Sequence, residues 1–373
     1  MRPFKKTIAV VSNTSWNVWH FRLDLMHALQ AAGYLVIAIA PKDGYSVKIE
    51  LAGFLYEAVD ISGGGTNPLT ELVSVYRLRE IFMRHQVDLI LSFTPKGNLY
   101  CALAGLLLGI PYLPNISGLG RSFIARSWVS IVVQGLYRLT LKKAHWIFFQ
   151  NHDDLQEFIR LGLIDENKVS RIPGSGIDLM RFVPAPLPTR PIDRPRFLMI
   201  ARLMWDKGVG EYVQAARIVK VRFPQVQFHL LGSCDVDNPS AISRATVRSW
   251  EREGVITYCG QTDAVAFHIA KSDVVVLPSY REGLPRTLLE GAALARPLIA
   301  TNVPGCKDLV IEGVTGFICE PKDGPDLAKA MLRFISLAIQ EREAMGARAR
   351  SHVEQNFDQQ IVINKYLQVL DKI

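Results

Sequence analysis

The chain has 373 residues, 49% of them hydrophobic and 21% charged, which is the balance of a folded protein large enough for two domains. Five scattered cysteines, odd in number and without metal-ligand spacing, argue against a disulfide framework or a zinc site and favour reduced thiols in a cytosolic protein. The net charge of +8 lies mostly in residues 1–190, where 20 Lys and Arg face 14 Asp and Glu. No nucleic-acid-binding signature accompanies it, so we expect no nucleic-acid partner and favour an anionic membrane surface or a diphosphate-linked acceptor.

The chain starts with a basic and then apolar segment that is too short for a secretory signal. Only about five apolar residues follow the basic ones, fewer than the roughly 7–15 of a signal peptide, so we predict that Thr7–Val11 is a core strand. The most apolar helical segment, Leu99 to Ile110, is shorter than the roughly 20 residues that cross a bilayer. We therefore expect a cytoplasmic protein without a membrane-spanning helix.

Apolar runs bounded by turns alternate with helical patterns along the chain, which predicts parallel sheets with helices on both faces. In the first half we predict strands at Thr7–Val11, Val36–Ala40, Leu89–Phe93, Tyr112–Asn115 and Trp146–Gln150. The helices predicted between them are Phe21–Ala32, Leu69–His85, Tyr100–Leu108 and a long one from about Ser127 to Lys143. In the second half we predict strands at Arg196–Ala201, Gln227–Leu231, Ile256–Tyr258, Val274–Leu277 and Leu298–Ala300.

Between the halves lies PAPLPTRPIDRP, residues 184–195, whose five prolines predict a stiff, unpacked linker. We therefore predict two doubly wound α/β domains, 1–185 and 186–355. A C-terminal helix within 356–373 is predicted to pack back towards the first domain. Since ligands of such sheets bind beyond the carboxyl ends of the strands, we expect the site in a cleft between the domains.

In the first domain, polar residues follow two predicted strands. His20 and Arg22 lie where a loop enters a helix after the first strand, and Lys96 and Asn98 follow Leu89–Phe93. In the segment NISGLGRSF, Gly118 and Gly120 allow close approach of the backbone to a ligand. These residues predict a ligand site, although His20 can equally cap or pack a helix and Lys96 can be a solvated cation.

The segment 121–143 interleaves basic and apolar side chains. Its cations are Arg121, Arg126, Arg138, Lys142 and Lys143, and its apolar residues include Trp128, Ile131, Val132, Leu136 and Leu139. A basic amphipathic helix of this kind predicts contact with a membrane surface. An ordinary core-facing helix with solvated charges is the alternative.

The second domain opens with FLMIARLMWDKGVG, in which Arg202 directly follows a strand and Lys207 and Gly208 precede a helix. Two cations beside a helix N-terminus suit a diphosphate. Further on, PSYREGLPRTLLEG places Glu282 in a loop after Val274–Leu277 and Glu290 within the next helix, with Pro285 as its first residue. This combination suits a ligand with both phosphates and hydroxyls, such as a nucleotide sugar, whereas each part alone could be solvated surface.

Taken together, these segments resemble the retaining glycosyltransferases of family 4, which have the GT-B fold of two Rossmann-like domains facing across a cleft. The family's second domain carries a G/A-R-L-x-x-x-K-G segment and an E-x7-E segment, which match residues 201–208 and 282–290 here. The sequence PGCKDLVIEGVTGFICEP is similar to another family segment, with Asp308 where a Glu is usual. In the first domain, HFR, T-x-K-x-N-x-Y and G-L-G resemble segments of members that act on lipid-linked oligosaccharides; Pro95 stands where many relatives have a His.

The resemblance implies a role for each matching residue. Arg202 and Lys207 would neutralise the donor's diphosphate as it leaves, and Glu282 would hold a hydroxyl of the donor sugar. The Gly283, Leu284 and Pro285 backbone would lie near the sugar's edge, and Glu290 would accept hydrogen bonds from the ribose. The acceptor would contact His20, Arg22, Lys96, Asn98, Gly118 and Gly120. Because fixed cations can stabilise the leaving group, we expect no obligatory metal or other cofactor.

The segments IARLMWDKGV and SYREGLPRTLLE resemble the IARxxWxKGV and SYxEGxPxxxLE segments of bacterial transferases that add N-acetylgalactosamine to an undecaprenyl-diphosphate-linked sugar. That resemblance implies a UDP-sugar donor, a lipid-linked glycan acceptor and peripheral attachment to the inner face of the cytoplasmic membrane. A family 4 transferase with a different hexose donor is an alternative. A GT-B-fold UDP-sugar epimerase, which needs no acceptor, and a non-catalytic nucleotide-sugar-binding module are two others.

Overall fold

The computed structural model describes residues 4–61, 68–118, 128–236 and 238–373. Its contacts divide the chain into two compact units. Unit 1 comprises Met1–Ser175 and Gln360–Ile373, and unit 2 comprises Gly176–Gln359. Residues 176–185 therefore belong with unit 2, on the other side of the boundary predicted from the sequence.

Unit 1 contains a parallel sheet of seven strands in the order β3-β2-β1-β4-β5-β6-β7. The strands are β1 (Thr7–Val11), β2 (Leu35–Ala40), β3 (Leu55–Ala58), β4 (Leu89–Phe93), β5 (Tyr112–Ile116), β6 (Ile147–Phe149) and β7 (Val169–Arg171). The helices before residue 176 are α1 (Ser15–Phe21), α2 (Leu23–Ala31), α3 (Ser46–Leu51), α4 (Pro68–Arg84), α5 (Pro95–Leu108), α6 (Trp128–Leu141) and α7 (His152–Arg160).

Unit 2 contains a parallel sheet of six strands in the order β10-β9-β8-β11-β12-β13. The strands are β8 (Arg196–Ile200), β9 (Gln227–Leu231), β10 (Thr257–Tyr258), β11 (Val274–Leu277), β12 (Leu298–Thr301) and β13 (Gly316–Cys319). The helices are α8 (Val209–Arg222), α9 (Arg244–Arg252), α10 (Val265–Ala270), α11 (Arg286–Ala293), α12 (Gly324–Ser336) and α13 (Ile339–Asn356).

Both sheets are covered on both faces, as the runs of apolar residues predict. In β1, Ile8 and Val10 pack into one buried cluster and Ala9 and Val11 into another. The strands of unit 2 alternate in the same way between two clusters. A strand buried on both faces is apolar at nearly every position, which makes the central strands recognisable in the sequence.

The last helix, α14 (Gln359–Leu370), completes the core of unit 1. Its Tyr366 is fully buried, with its ring centroid 4.2 Å from that of Phe148. The Tyr366 hydroxyl accepts a hydrogen bond from Nδ2 of Asn115 at 2.8 Å. The C-terminal residues therefore cover the same face of the sheet as the first helices of the chain.

The first residue and the last residues of unit 2 lie side by side. The N–H of Ile177 donates to the carbonyl of Phe357 at 2.9 Å, and the N–H of Gln359 donates to the carbonyl of Ile177 at 3.1 Å. Gly176 has a φ of 67°, and a Cβ there would lie 2.4 Å from Cα of Gln359. Only glycine fits this approach.

The prediction that the proline-rich segment is an unpacked linker between the domains is wrong, because residues 184–195 lie within unit 2 and pack against it. Arg296, which is fully buried, donates to the carbonyls of Ala185 at 2.6 Å and Pro186 at 2.9 Å. Arg190 pairs with the buried Asp273 at 2.6 Å, and Arg342 donates to the carbonyl of Ile192 at 2.9 Å. Arg296 and Arg342 thus donate hydrogen bonds to backbone carbonyls of a segment that forms no strand and so has no strand partner for them.

Candidate functional site

The predicted donor-binding residues follow two adjacent strands of unit 2. Strands β8 and β11 pair in parallel, with Leu198 opposite Val275, and the strand order reverses between them. Such a reversal leaves a crevice beyond the carboxyl ends of the strands, where α/β sheets bind ligands. Arg202 and Lys207 follow β8, and Glu282 follows β11.

The loops after β8 and β11 are in close backbone contact at Gly208. This residue has a φ of 76°, and a Cβ on it would lie 1.9 Å from the carbonyl oxygen of Pro278. The N–H of Tyr280 donates to the carbonyl of Asp206 at 3.0 Å. The close approach requires glycine and fixes the cation-bearing loop against the carboxylate-bearing one.

Lys207 and Glu282 form an ion pair at this junction. Nζ of Lys207 lies 2.6 Å from Oε1 of Glu282, and the side chains are 19% and 15% exposed. The structure thus brings together one of the two residues predicted for the diphosphate, Lys207, and the residue predicted for the donor sugar, Glu282. Arg202 is exposed, and within the described ranges no hydrogen bond or ion pair is recorded for it.

A loop after β12 holds the backbone at Glu282 and Gly283 in place. The N–H of Glu282 donates to the carbonyl of Pro304 at 3.3 Å. A Cβ on Gly305, whose φ is 81°, would lie 2.5 Å from the carbonyl oxygen of Gly283. Asp308 accepts from the N–H of Gly305 at 3.0 Å, so the shorter acidic residue closes the turn that supports Glu282.

Glu290 lies inside α11 and is 12% exposed. Nε of Arg286 donates to Oε1 of Glu290 at 3.1 Å. Burial raises the pKa of the Glu290 carboxyl, and the nearby positive charges of Arg286 and Arg181 oppose that increase. Pro285 was predicted as the first residue of this helix but is the residue before it, with an extended ψ of 116°. Its restricted φ suits both positions.

Four of the predicted acceptor-binding residues of unit 1, His20, Arg22, Lys96 and Asn98, also follow adjacent strands at a reversal of strand order, here β1 and β4. The helix predicted at Phe21–Ala32 is present as α2 (Leu23–Ala31), and a further helix, α1, precedes it, with Thr14 as an N-cap that accepts from the N–H of Asn17. His20 therefore lies in the last turn of α1, with its ring centroid 4.7 Å from that of Trp16. Arg22 is buried, and its guanidinium lies 3.9 Å from the centroid of the Phe93 ring.

Lys96 and Asn98 lie in the first turn of α5, which begins five residues before the predicted start at Tyr100. Nζ of Lys96 is 2.8 Å from Oε1 of Glu71. Asn98 is buried, and its Nδ2 donates to the carbonyl of Asn115 at 2.8 Å. Gly118 has a φ of 136°, and the predicted contact Gly120 lies outside the described residues.

Two family models match the chain, one in each half. Residues 18–174 match the model "Glycosyl transferase 4-like domain", and residues 194–336 match "Glycosyl transferases group 1". The chain belongs to the glycosyltransferases. The two matched ranges contain the residues predicted for the acceptor and for the donor, respectively.

Relatives of this glycosyltransferase match it over most of its length. It is 28% identical to the N,N'-diacetylbacillosaminyl-diphospho-undecaprenol alpha-1,3-N-acetylgalactosaminyltransferase of Campylobacter jejuni, over 98% of both chains. It is 25% identical to the UDP-Gal:alpha-D-GlcNAc-diphosphoundecaprenol alpha-1,3-galactosyltransferase of Escherichia coli, over 71% of this chain and 70% of that one. The crystal structure of Anabaena HepE with UDP-glucose superposes with a TM-score of 0.80 at 18% identity, covering 99% of this chain and all of that one. The predicted GT-B fold is confirmed.

The glycosyltransferase also has site contacts that sequence reasoning missed. Arg286 pairs with Glu290, and the hydroxyl of Tyr280 donates to Glu211 at 2.7 Å. The stacking of Arg22 on Phe93 is a third such contact. Only the Arg286–Glu290 pair left a signal in the sequence, since residues four apart on a helix lie on one face.

The basic segment is amphipathic where the structure describes it. In α6 and just after it, Tyr137 and Leu141 are buried, whereas Arg138, Lys142 and Lys143 are exposed. Leu139 is 52% exposed beside these cations. Arg121 and Arg126 lie outside the described residues. Among the helices of the described part, none has both the length and the apolar character needed to cross a bilayer.

Proposed function

We propose that this glycosyltransferase moves an N-acetylhexosamine, with N-acetylgalactosamine as the best candidate, from a UDP-sugar to a polyprenyl-diphosphate-linked sugar. The 2.6 Å contact between Lys207 and Glu282 carries the proposal, because it joins a cation suited to a diphosphate with a carboxylate suited to sugar hydroxyls. The name of the Campylobacter relative supports both substrates. A different hexose donor is the second candidate, since the Escherichia coli relative is named for UDP-galactose.

In this proposal Arg202 and Lys207 bind the donor's diphosphate and stabilise the charge that develops on UDP as it leaves. Glu282 accepts a hydrogen bond from the donor sugar near the Gly283–Pro285 backbone, and Glu290 accepts hydrogen bonds from the ribose. The acceptor hydroxyl attacks the anomeric carbon on the face from which UDP departs. The bond to UDP breaks as the new glycosidic bond forms, and the UDP phosphate takes the hydroxyl proton. The product is α-linked, so the donor's configuration is retained.

We assign the acceptor to unit 1. There His20, Arg22, Lys96, Asn98, Gly118 and Gly120 are the proposed contacts. The basic segment 121–143 would attach the enzyme to the inner face of the cytoplasmic membrane, where a lipid-linked acceptor is located. The exposed Arg138, Lys142 and Lys143 support this assignment because they suit anionic headgroups.

The proposal is tested by incubating the protein with a panel of UDP-sugars and lipid-linked acceptors extracted from the host. We expect a lipid product heavier by one N-acetylhexosamine, with an α-linkage in its NMR spectrum. A β-linked product would contradict retention. A C2-epimer formed from the donor alone would indicate an epimerase, and donor binding without turnover in any extract would indicate a binding module.

A further inference from the structure

Arg286 is held at two points beside the proposed ribose-binding carboxylate. Its Nε donates to Oε1 of Glu290 at 3.1 Å, and its Nη1 donates to the carbonyl of Gly176 at 3.3 Å. Its guanidinium lies 5.9 Å from the ring centroid of Phe182, and its side chain is 17% exposed. A guanidinium fixed by two acceptors has a defined orientation and imposes one on the carboxylate it contacts.

Two positive charges near Glu290, those of Arg286 and Arg181, both favour its ionised carboxylate. Burial of the carboxyl opposes them and raises its pKa. Arg286 also makes a direct hydrogen bond to the carboxylate, which favours the ionised form further. A carboxylate can accept from two hydroxyls at once, whereas the protonated acid has lost part of that capacity.

We propose that Arg286 is a positioning residue for the donor: it orients Glu290 so that the carboxylate accepts hydrogen bonds from the ribose hydroxyls of a uridine diphosphate. The inference rests on the proposed function, because that function assigns the ribose to Glu290. It gives Arg286 a role in donor binding although Arg286 itself has no assigned contact with the substrate. It also predicts that loss of Arg286 affects the ribose part of the donor and leaves its phosphates largely unaffected.

The test compares two ligands, UDP and 2′,3′-dideoxy-UDP, by calorimetry with the wild type, Arg286→Gln and Arg286→Lys. We expect the wild type to prefer UDP, and Arg286→Gln to lose about tenfold in UDP affinity but little in affinity for the dideoxy ligand. Arg286→Lys should restore part of the preference, since it keeps the charge. Equal weakening of both ligands by Arg286→Gln would mean a purely structural role and would overturn the proposal.

The pH dependence of UDP binding gives a second readout. Removing a cation that favours ionised Glu290 raises the pKa of the carboxyl, so the loss of affinity on acidification should begin at a higher pH in Arg286→Gln than in the wild type. If Arg286→Gln does not fold, the same measurements on Arg286→Met decide, since that variant also removes the cation and the hydrogen bond. An unchanged pH profile together with an unchanged preference for UDP in Arg286→Met would overturn the proposal.

Arg350→Gln is the matched control. Arg350 also pairs with a glutamate four residues away, Glu354 at 2.6 Å, and donates to the carbonyls of Phe182 and Ala293. We expect this variant to lose stability but to keep the wild-type ligand preference. The same loss of preference in Arg350→Gln would overturn the proposal. A wild type that binds both ligands equally would overturn the ribose role, and a wild type that binds no UDP would overturn the proposed function itself.

Discussion

Lys207 combines a half-buried position with a contact to a second site residue, so its charge is screened less than that of a surface lysine. We expect Lys207→Ala and Arg202→Ala each to lower turnover about 10- to 100-fold, because a charge-assisted phosphate contact contributes roughly 1.5–3 kcal/mol. The measurement is kcat/KM with the donor identified by the panel. Thermal unfolding of each variant shows whether the fold is preserved.

Lys329→Ala is the control for these variants, since Lys329 is an exposed cation of α12 in the same unit. It should retain wild-type turnover. A folded Arg202→Ala, Lys207→Ala double variant with near wild-type activity would show that the diphosphate binds elsewhere.

His229 is expected to make the protein sensitive to acid. Burial, followed by the positive charges of Arg196, Arg190 and His268, lowers its pKa from 6.5 to about 4. The folded protein keeps the imidazole neutral where the unfolded chain protonates it. Its contribution to stability is therefore complete above pH 6.5 and is lost as the pH falls from there towards 4, by up to about 2 kcal/mol after allowance for partial exposure.

Urea unfolding of the wild type and His229→Gln across this pH range measures the effect. The variant should lack this part of the acid dependence, whereas the exposed His152→Gln should keep it. An acid dependence in His229→Gln equal to that of the wild type would assign the effect to other groups.

The place of a site residue in the fold could be predicted from the sequence when the residue directly follows a strand that the sequence itself marks. Lys207 and Glu282 each follow a recognisable buried strand, and parallel strands end at the same edge of a sheet. Their 2.6 Å contact could not be read from residues 75 positions apart, because it depends on which strands are neighbours. The stacking of Arg22 on Phe93 could not be predicted either, because it depends on the pairing of β1 with β4.

At the scale of the elements, Arg296 holds the proline-rich segment, residues 184–195, in place by hydrogen bonds to its backbone. This fully buried guanidinium donates to the carbonyls of Ala185, Pro186, Ile269, Ala270 and Leu294. We expect Arg296→Met to lower the free energy of unfolding by at least about 3 kcal/mol, because it leaves several buried acceptors without a donor. Urea denaturation gives the value.

Arg194→Met is the corresponding control, since Arg194 lies in the same segment and its side chain is 52% exposed. Its effect should stay within about 0.5 kcal/mol. Equal destabilisation by the two substitutions would mean that the hydrogen bonds of Arg296 do not hold the segment.

Strands buried on both faces were predicted, and of the described edge strands only β10 was, at Ile256–Tyr258. Strands β3 and β7 lie at the edges of the first sheet and β13 at an edge of the second. An edge strand has one neighbour, and in β3 every residue is at least partly exposed, so its apolar signal is weak. Helix α1 was missed because its start depends on the Thr14 cap and its seven residues are too few to show a helical period of apolar positions.

For the molecule as a whole, the basic segment predicts binding to anionic liposomes that weakens with salt, since exposed charges are screened over about 10 Å at 0.1 M. Each cation near the surface contributes on the order of 1 kcal/mol. Replacing Arg126, Arg138, Lys142 and Lys143 with Gln should abolish sedimentation with the liposomes. UDP affinity should not change, because the proposed donor residues belong to unit 2.

The control is a variant of unit 2 that loses four exposed cations, so its net charge changes by the same amount as in the variant of the basic segment. Replacing Arg244, Arg248, Arg252 and Lys329 with Gln should leave liposome binding intact. If the variant of the basic segment still sediments fully, another surface binds the lipid. If both variants lose binding equally, net charge alone is responsible.

The pairing of Ile177 with Phe357 and Gln359 joins the two ends of unit 2, so that unit 2, the proposed donor-binding half, is one continuous and closed segment of the chain. Two backbone hydrogen bonds join the ends of this segment. A chimera in which the whole of unit 2 is exchanged therefore needs only two junctions, before Gly176 and after Gln359. Gly176 itself must be kept, because any larger residue would collide with Gln359. If unit 2 binds the donor as proposed, exchanging this segment between relatives should transfer the preference for the nucleotide sugar while unit 1 stays unchanged.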